Sequence, residues 1–327
     1  MFKYMITINP LGFMYGSAGG FLSPENLVGR SNTKFPPEAA TLAGLFFSAN
    51  KANSNYDPEE LKKNHYIAGP FWANCDEPDY FYVPIPWNKI IAEKDEDEWS
   101  LKNKKWHRQK QDLDPDYRWQ TINSWDNPPK VIRKNKSAAS DPWRYIPHLH
   151  PEIKAEERHV KDGRLFLENS VQMSEDTCLV YLSTHQLPKG WYRFGGESHI
   201  VEINSIPMDD DHPFLTFLKQ PIKQSFALIT PGVWGSNRHS YRYPQHPDFP
   251  TPVQMLTDKS VPYRYRTSGR LGRGRYAVPA GSVYLLDQPL NKSWWDWQEE
   301  WFPKEGYSLK RVGCGLSLPL DINGLTP

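Results

Sequence analysis

Alternating and helically spaced apolar residues divide the chain into many short strands and a few helices. The β-branched run from Tyr4 to Asn9 predicts a first strand that ends at Pro10. After a glycine-rich loop, the segment FPPEAATLAGLFFSAN predicts a helix, because Pro37 and Glu38 suit a first turn and its apolar residues recur at helical spacing. We expect the apolar face of this helix to cover a sheet.

Further β-rich runs continue along both halves of the chain. In the first half they are Tyr66 to Phe71, Tyr80 to Pro84, RLFLENSVQM, TCLVYLSTHQL and GWYRFGGESHIVEI. In the second half, a short helix near His212 to Gln220 is followed by FALITPGVW, RYAVPAGSVYLL and YSLKRVGCGLSL. This order predicts an α+β protein with two small sheets, each backed by helices.

A long polar insertion interrupts the first half from about Glu93 to Trp143. It combines an acidic run, EKDEDE, with a basic run, KNKKWHRQK, and it holds five of the thirteen tryptophans. Disordered segments usually lack so many aromatic residues. A partner-binding excursion and a flexible surface loop therefore both stay open.

Length and local composition limit the class of protein. A chain of 327 residues favours two domains over one large domain. The opening MFKYMITINP has the apolar length of neither a signal peptide nor a membrane span, so we expect a cytoplasmic protein without membrane contact. Cys75, Cys178 and Cys314 have no C-x-x-C spacing, which predicts reduced thiols rather than a disulfide framework or a zinc site.

The charge is unevenly distributed, although the net charge is only +1. Between Ser236 and Tyr276 there are eight arginines and lysines against two aspartates. Within this stretch, GRLGRGRYAVPAGSVYLL combines glycines, which let a backbone approach a phosphate chain, with arginines that hydrogen-bond its oxygens. The alternative is a surface turn with incidental arginines. The candidate RNA-binding residues are Arg238, Arg264, Arg266, Gly269, Arg270, Gly272, Arg273, Gly274, Arg275 and Tyr276.

Two further glycine-rich segments deserve comparison. YGSAGG is no P-loop, because the Gly-Lys-Ser/Thr ending is absent; it is either a plain connection or a second RNA-contacting loop. Its candidate residues are Gly19, Gly20, Arg30 and Lys34. In FGGESH, we expect Gly195, Gly196 and Glu197 to form a tight turn or β-bulge.

Catalytic and metal-binding patterns are weak. The densest histidine group is His148, His150 and His159 with Glu152, but prolines bracket its HLH core, so no helix presents ligands at HExxH spacing. There is no G-x-S-x-G elbow. We therefore expect no metal, no cofactor and no enzymatic activity.

The tryptophans raise a separate possibility, because exposed aromatic rings stack on bases and on sugars. The cluster WWDWQEEW has helical spacing and is expected to pack against protein. A carbohydrate-binding protein stays open, but the arginine cluster argues against it. Phosphate binding would weaken steeply with salt, whereas sugar binding would not.

An ordered series of segments resembles a known family. The opening strand, PPEAATLAGLFFS, IAGPFW, YFYVPIP, FGGE and AVPAGSVYLL together resemble the third-subunit, group-five RAMP proteins of type III-B CRISPR (Cmr) antiviral complexes. The resemblance implies two tandem ferredoxin-like (RRM-like) domains, residues 1–204, which contain the insertion at about 93–143, and residues 205–327. The insertion and the YGSAGG loop depart from the family pattern.

The resemblance also implies a function and partners. Such a subunit binds the guide crRNA without catalysis, caps its 5′ handle, and docks the large polymerase-like Cmr subunit and a RAMP backbone subunit. Because relatives on this fold cut RNA with histidine, tyrosine or lysine, a repeat-processing endoribonuclease is the alternative. His239, flanked by Arg238 and Tyr241, is the first candidate for that chemistry.

Overall fold

The computed structural model describes residues 1–14, 35–153, 159–195, 198–236, 239–264, 266–267 and 270–325. At 149–153, 160–168, 266–267 and 270–271 it describes the backbone alone. Gly19, Gly20, Arg30, Lys34, Gly196, Glu197, Arg238 and Gly269 lie outside the described residues.

The elements follow one another in an order dominated by strands. The helices are α1 (Ala39–Asn53), α2 (Pro58–Asn64), α3 (Pro129–Lys134) and α4 (Pro213–Lys219). The strands of the first part are β1 (Tyr4–Pro10), β2 (Ile67–Asn74), β3 (Tyr82–Pro84), β4 (Lys89–Ile91), β5 (Glu96–Glu98), β6 (Ser100–Lys102), β7 (Lys105–His107), β8 (Trp119–Thr121), β9 (Ala138–Ala139), β10 (Trp143–Ile153), β11 (Val160–Met173), β12 (Thr177–Ser183), β13 (Gly190–Phe194) and β14 (His199–Pro207). Those of the second part are β15 (Ser225–Leu228), β16 (Trp234–Gly235), β17 (Ser240–Tyr241), β18 (Pro252–Leu256), β19 (Val261–Tyr263), β20 (Arg266–Thr267), β21 (Arg270–Leu271), β22 (Arg275–Ala277), β23 (Val283–Leu286) and β24 (Ser317–Pro319). Short 3₁₀ helices cover Pro78–Tyr80, Ile122–Ser124, Trp294–Asp296, Glu299–Trp301 and Leu309–Val312.

Helix α1 forms where its apolar spacing predicts it. It begins at Ala39, two residues later than the sequence suggested, because Glu38 keeps an extended backbone (φ −63°, ψ 152°). It ends at Ser54, whose left-handed conformation lets its N–H bond to the carbonyl of Asn50. Leu42 and Phe46 are fully buried, so the helix covers the first sheet with the face that the sequence indicated.

Two antiparallel sheets, in which neighbouring strands are often not consecutive in the chain, form the framework. The first has eight strands in the order β13-β14-β1-β12-β2-β3-β8-β9, and the second has four in the order β18-β23-β15-β24. Within the first sheet, the neighbouring strands β14-β1-β12-β2 are the fourth, first, third and second of these four along the chain. The second sheet, read from β24 to β18, has the same order. Helix α1 lies in the connection between β1 and β2, whereas the described residues between β15 and β18 contain the β16–β17 hairpin and no α-helix.

The two sheets share one hydrophobic core. Phe2 of the first part packs with its ring centroid 6.2 Å from Phe214 of α4 and 6.3 Å from Trp294. The WWDWQEEW segment forms two 3₁₀ turns rather than the expected helical stripe, but Trp294, Trp297 and Trp301 are buried, which confirms its packing role. The predicted domain boundary at 204/205 falls inside β14, and the division into two domains stays a prediction.

The polar insertion is folded, so its interpretation as a flexible loop is wrong. Strands β8 and β9 extend the first sheet. Trp125 is fully buried and its Nε1 donates to the carbonyl of Pro319 at 2.8 Å, while the N–H of Leu101 donates to the carbonyl of Asn323 at 2.8 Å. The insertion therefore packs on the end of the second part, and a role in binding a partner stays a prediction.

Two remaining expectations concern cysteines and membranes. Cys75, Cys178 and Cys314 are free thiols, and Cys178 and Cys314 are buried. In the part of the chain that the structure describes, no helix has the length and apolar character needed to cross a membrane.

Candidate nucleic-acid interface

The glycine- and arginine-rich segment folds as an extended hairpin between β18 and β23. Strands β19 and β22 pair with Val261 opposite Ala277 and Tyr263 opposite Arg275. Beyond them, β20 and β21 pair with Arg266 opposite Leu271. We call residues 261–277 the basic hairpin.

Side chains of β22 alternate between the protein interior and solvent, as the pleat of a strand requires. Arg275 and Ala277 are buried, whereas Tyr276 is 54% exposed. Arg273 and Gly274, just before the strand, are exposed, and the half-buried Gly272 accepts a hydrogen bond at its carbonyl from Arg264 Nε at 2.6 Å. The basic hairpin thus presents Arg273 and Tyr276 to solvent.

A second, shorter hairpin lies beside it. Strands β16 and β17 pair with Trp234 opposite Tyr241 and Gly235 opposite Ser240. Gly235 has φ +108°, and a Cβ there would lie 2.2 Å from the carbonyl oxygen of His239, so only glycine closes this turn without strain. We call residues 234–241 the short hairpin.

One buried arginine connects the two hairpins. Arg275 Nε lies 3.1 Å from Glu305 Oε1, and Nη1 donates to the carbonyl of Ser236 at 2.8 Å. The N–H of Tyr276 donates to Ser240 Oγ at 3.3 Å, which places Tyr276 next to β17. The sequence placed Arg275 among the phosphate ligands; the structure places its guanidinium inside the protein, with 4% of the side chain exposed.

Aromatic and cationic side chains are exposed on the two hairpins. Tyr241 is 40% exposed, and its ring centroid lies 6.4 Å from that of the exposed His239, with 18° between their planes. Arg242 follows β17 and is also exposed. We call Tyr241, Tyr276, His239, Arg242 and Arg273 the tyrosine surface; rings of this kind stack on unpaired bases, and neighbouring arginines attract phosphates.

The other predicted contact residues are less fully described. Arg266 and Arg270 lie in β20 and β21, where the backbone alone is described, so the role of their side chains in binding RNA stays a prediction.

At the FGGE turn, Gly195 has φ +79° and its carbonyl accepts from the N–H of Ser198 at 3.3 Å, between the paired strands β13 and β14. Gly195 thus has the left-handed backbone that suits a turn, while the turn formed by Gly195, Gly196 and Glu197 together stays a prediction.

His239 has little support as a catalytic base. Its N–H donates to Ser236 Oγ at 3.3 Å and its ring contacts Tyr241. Among the described residues, no carboxylate hydrogen-bonds or forms an ion pair with its ring. A general base normally needs such a partner to orient and tune it.

The structure reveals a histidine cluster that sequence reasoning missed. His185 Nε2 lies 3.2 Å from Glu60 Oε2, and its Nδ1 lies 2.9 Å from Thr184 Oγ1 and 3.4 Å from His65 Nδ1. Burial, followed by the nearby His185, lowers the pKa of His65 to about 3. His65 and His185 are far apart in sequence and meet because β2 and β12 pair, with Ile67 opposite Ser183.

This cluster lies beside an open cleft of about 600 Å³. Tyr56, Tyr66, Lys3 and Trp295 also line the cleft. The Tyr66 hydroxyl donates to Glu299 Oε1 at 2.6 Å, and burial, reinforced by Glu299, raises the pKa of Tyr66 to about 12. Protein groups lie within hydrogen-bond distance of both ring nitrogens of His185, with Glu60 on one side and Thr184 and His65 on the other.

The HLH motif lies in a strand and not in a helix, which agrees with the expectation drawn from its flanking prolines. His148 is in β10, opposite Glu168 of β11, and its ring lies 5.4 Å from that of Phe13. Within the described ranges, no group of three or more His, Cys, Asp or Glu is placed to hold a metal ion.

Two solved structures have a fold similar to that of this chain. Its fold is similar to a chain of the type III-B Cmr-beta bound to cognate target RNA, with a TM-score of 0.48, 12% identity, and coverage of 86% of this chain and 86% of that chain. It is also similar to a chain of the Csm3–Csm4 subcomplex of the type III-A CRISPR-Cas interference complex, with a TM-score of 0.43, 12% identity, and coverage of 97% and 99%. The comparison with curated proteins found no match.

A family model gives the assignment. The model described as CRISPR-associated protein (Cas_Cmr3) matches residues 12–318, nearly the whole chain from just after β1. The match includes the basic hairpin, the short hairpin and the insertion. It confirms the resemblance noted in the sequence, and the chain belongs to the Cas_Cmr3 family of CRISPR-associated proteins.

Proposed function

We propose that this chain is a non-catalytic, guide-RNA-binding subunit of a type III-B CRISPR interference complex. The observation that carries the proposal is the tyrosine surface, where exposed rings and exposed arginines lie on two hairpins that hydrogen-bond to each other. Single-stranded RNA is typically bound by such a combination of stacking and charge. Membership of the Cas_Cmr3 family supports the same conclusion.

In this proposal both hairpins contact the RNA. Tyr276 and Tyr241 stack on splayed bases, while Arg273 and Arg242 contact phosphates. Arg264 shapes the basic hairpin through its hydrogen bond to the carbonyl of Gly272, and Arg266 and Arg270 stay predicted RNA contacts. Affinity would then come largely from sequence-independent contacts to the backbone and ring faces.

The family resemblance supports a proposal for the place of the subunit in its complex. We propose that it caps the 5′ handle of the crRNA and docks the large polymerase-like subunit and a RAMP backbone subunit. The folded insertion around Trp125 is a candidate surface for one of these contacts, since it packs firmly on this chain.

We further propose that the two sheets are tandem ferredoxin-like domains. The first contains the four neighbouring strands β14-β1-β12-β2, and the second consists of β24-β15-β23-β18. In each set the order along the chain is fourth, first, third, second, which a β-α-β-β-α-β unit produces. The first sheet keeps α1 in its first connection. In the second, the short hairpin occupies the corresponding connection, so the RNA-contacting element would stand where a ferredoxin-like domain has a helix.

Two alternative functions receive less support. An endoribonuclease needs a positioned base; among the described residues no carboxylate contacts the His239 ring, and both ring nitrogens of His185 already lie within hydrogen-bond distance of protein groups. A sugar-binding protein needs exposed tryptophans along one groove, whereas Trp294, Trp297 and Trp301 are buried in the core.

The proposal is tested by binding of the purified chain to a labelled guide RNA over a range of salt concentrations. We expect affinity to fall steeply with salt and the RNA to stay intact. Arg273→Ala should weaken binding and reduce the slope of log K against log salt by about 0.7, the value for one lost phosphate contact to a single strand. An affinity that does not change with salt concentration, or metal-independent cleavage of the RNA, would refute the proposal.

A further inference from the structure

The buried ion pair of Arg275 and Glu305 attaches the basic hairpin to the rest of the protein. The two side chains are 4% and 10% exposed, and Arg275 Nε lies 3.1 Å from Glu305 Oε1. The same guanidinium donates through Nη1 to the carbonyl of Ser236 at 2.8 Å. Such a buried charge is retained only where its partners are held in good geometry.

The partners of Arg275 come from two other segments of the chain. Ser236 directly follows β16 and opens the turn of the short hairpin, whose His239 carbonyl accepts from the Ser236 N–H at 3.0 Å. Glu305 sits in a tight turn in which its N–H donates to the carbonyl of Tyr307 at 2.9 Å. One planar guanidinium therefore joins both hairpins to the turn at Glu305.

Arginine suits this role better than lysine. Its fork of donors points in fixed directions, so Nε and Nη1 reach a carboxylate and a carbonyl at the same time. Tyr276 follows Arg275 directly and faces the opposite side of β22. Fixing the guanidinium inside the protein therefore fixes the direction in which the Tyr276 ring projects outward.

We propose that Arg275 is a positioning residue for RNA, which holds the two tyrosine-bearing hairpins together, and not a phosphate ligand. This inference rests on the proposed RNA-binding function. A phosphate could recruit Arg275 only by taking it from Glu305, which would leave the Glu305 carboxylate buried beside the incoming negative charge. Arg273, two residues earlier and exposed, is the phosphate-contacting arginine of the same segment.

Salt dependence separates the two roles. Arg275→Lys keeps the charge but loses the forked donor geometry. A positioning role therefore predicts that the Kd for RNA rises about fivefold or more, which is the smaller cost of losing one stacked base. The salt slope should not change, because no charge is lost. A phosphate-ligand role predicts that Arg275→Lys nearly retains affinity. It also predicts that Arg275→Met lowers the slope by about 0.7.

A double substitution keeps the test valid if single variants unfold. Arg275→Met with Glu305→Leu replaces the buried pair by apolar side chains of similar size, an exchange that proteins often tolerate. We expect this variant to fold, as judged by thermal unfolding, and to bind RNA more tightly than Arg275→Met alone, with the slope of the unchanged protein. Loss of affinity together with a reduced slope in the double variant would overturn the inference.

Controls distinguish failure of this inference from failure of the proposed function. If Tyr276→Ala and Arg273→Ala leave RNA binding unchanged, the tyrosine surface is not the RNA interface and both ideas fail. If those two variants weaken binding but Arg275→Lys does not, the interface stands and the positioning role of Arg275 is wrong.

Discussion

Replacing Tyr276 by alanine should weaken guide-RNA binding without weakening the fold. Tyr276 is 54% exposed and lies between buried neighbours on β22. Its ring therefore contributes little to the core, and we expect the free energy of unfolding to change by no more than about 0.5 kcal/mol. One lost base stack costs about 1–3 kcal/mol, which corresponds to a Kd raised roughly 5- to 150-fold.

Fluorescence anisotropy with a labelled single-stranded guide, measured at several fixed salt concentrations, gives both the Kd and the salt slope. Because the substitution removes no charge, the slope should stay that of the unchanged protein. Tyr80→Ala is the matched control, since Tyr80 is 48% exposed and lies in a 3₁₀ helix of the first part. Equal affinities for Tyr276→Ala and the unchanged protein would refute the stacking role.

Three further predictions concern stability. Gly313→Ala should lower the free energy of unfolding by about 2–4 kcal/mol in denaturant, because φ is +72° and the added Cβ would lie 2.6 Å from Ala68 Cα. Gly306→Ala is the control: φ is +80° but nothing lies within 4 Å of the added Cβ, so it should cost only about 1 kcal/mol. Because the pKa of His65 falls from 6.5 to about 3 on folding, its contribution is complete above pH 6.5 and is lost as pH falls toward 3. Between pH 7 and 5 the unchanged protein should lose about 2 kcal/mol more than His65→Leu, and parallel pH curves would contradict this. Trp125→Ala should cost about 3–5 kcal/mol, whereas a cost near zero would mean that the insertion is not part of the core.

Local patterns predicted the parts of the fold that depend on neighbouring residues. The apolar spacing of Leu42 and Phe46 located α1, and the β-branched run from Tyr4 located β1, because each face is decided by residues a few positions apart. The start of α1 shifted by two residues, since terminal backbone angles respond to the preceding loop. The tryptophan-rich segment after Ser293 was correctly expected to pack but not to form 3₁₀ turns.

Long-range contacts were the part that the sequence could not supply. The strand order of the two sheets depends on pairings such as β1 with β12 and β14, which no local pattern encodes. His65 and His185 meet only through the pairing of β2 with β12. Arg275 looked like its exposed neighbour Arg273 in sequence, and only the position of Glu305 in the folded chain distinguishes a buried ion pair from a phosphate contact.

The most direct test of the central claim is to purify the tagged chain gently from its native host and to sequence the RNA and identify the proteins that accompany it. The account predicts guide RNAs that share one 5′ handle, together with a large polymerase-like subunit and a RAMP backbone subunit. Recovery of the chain alone, without RNA, would contradict it.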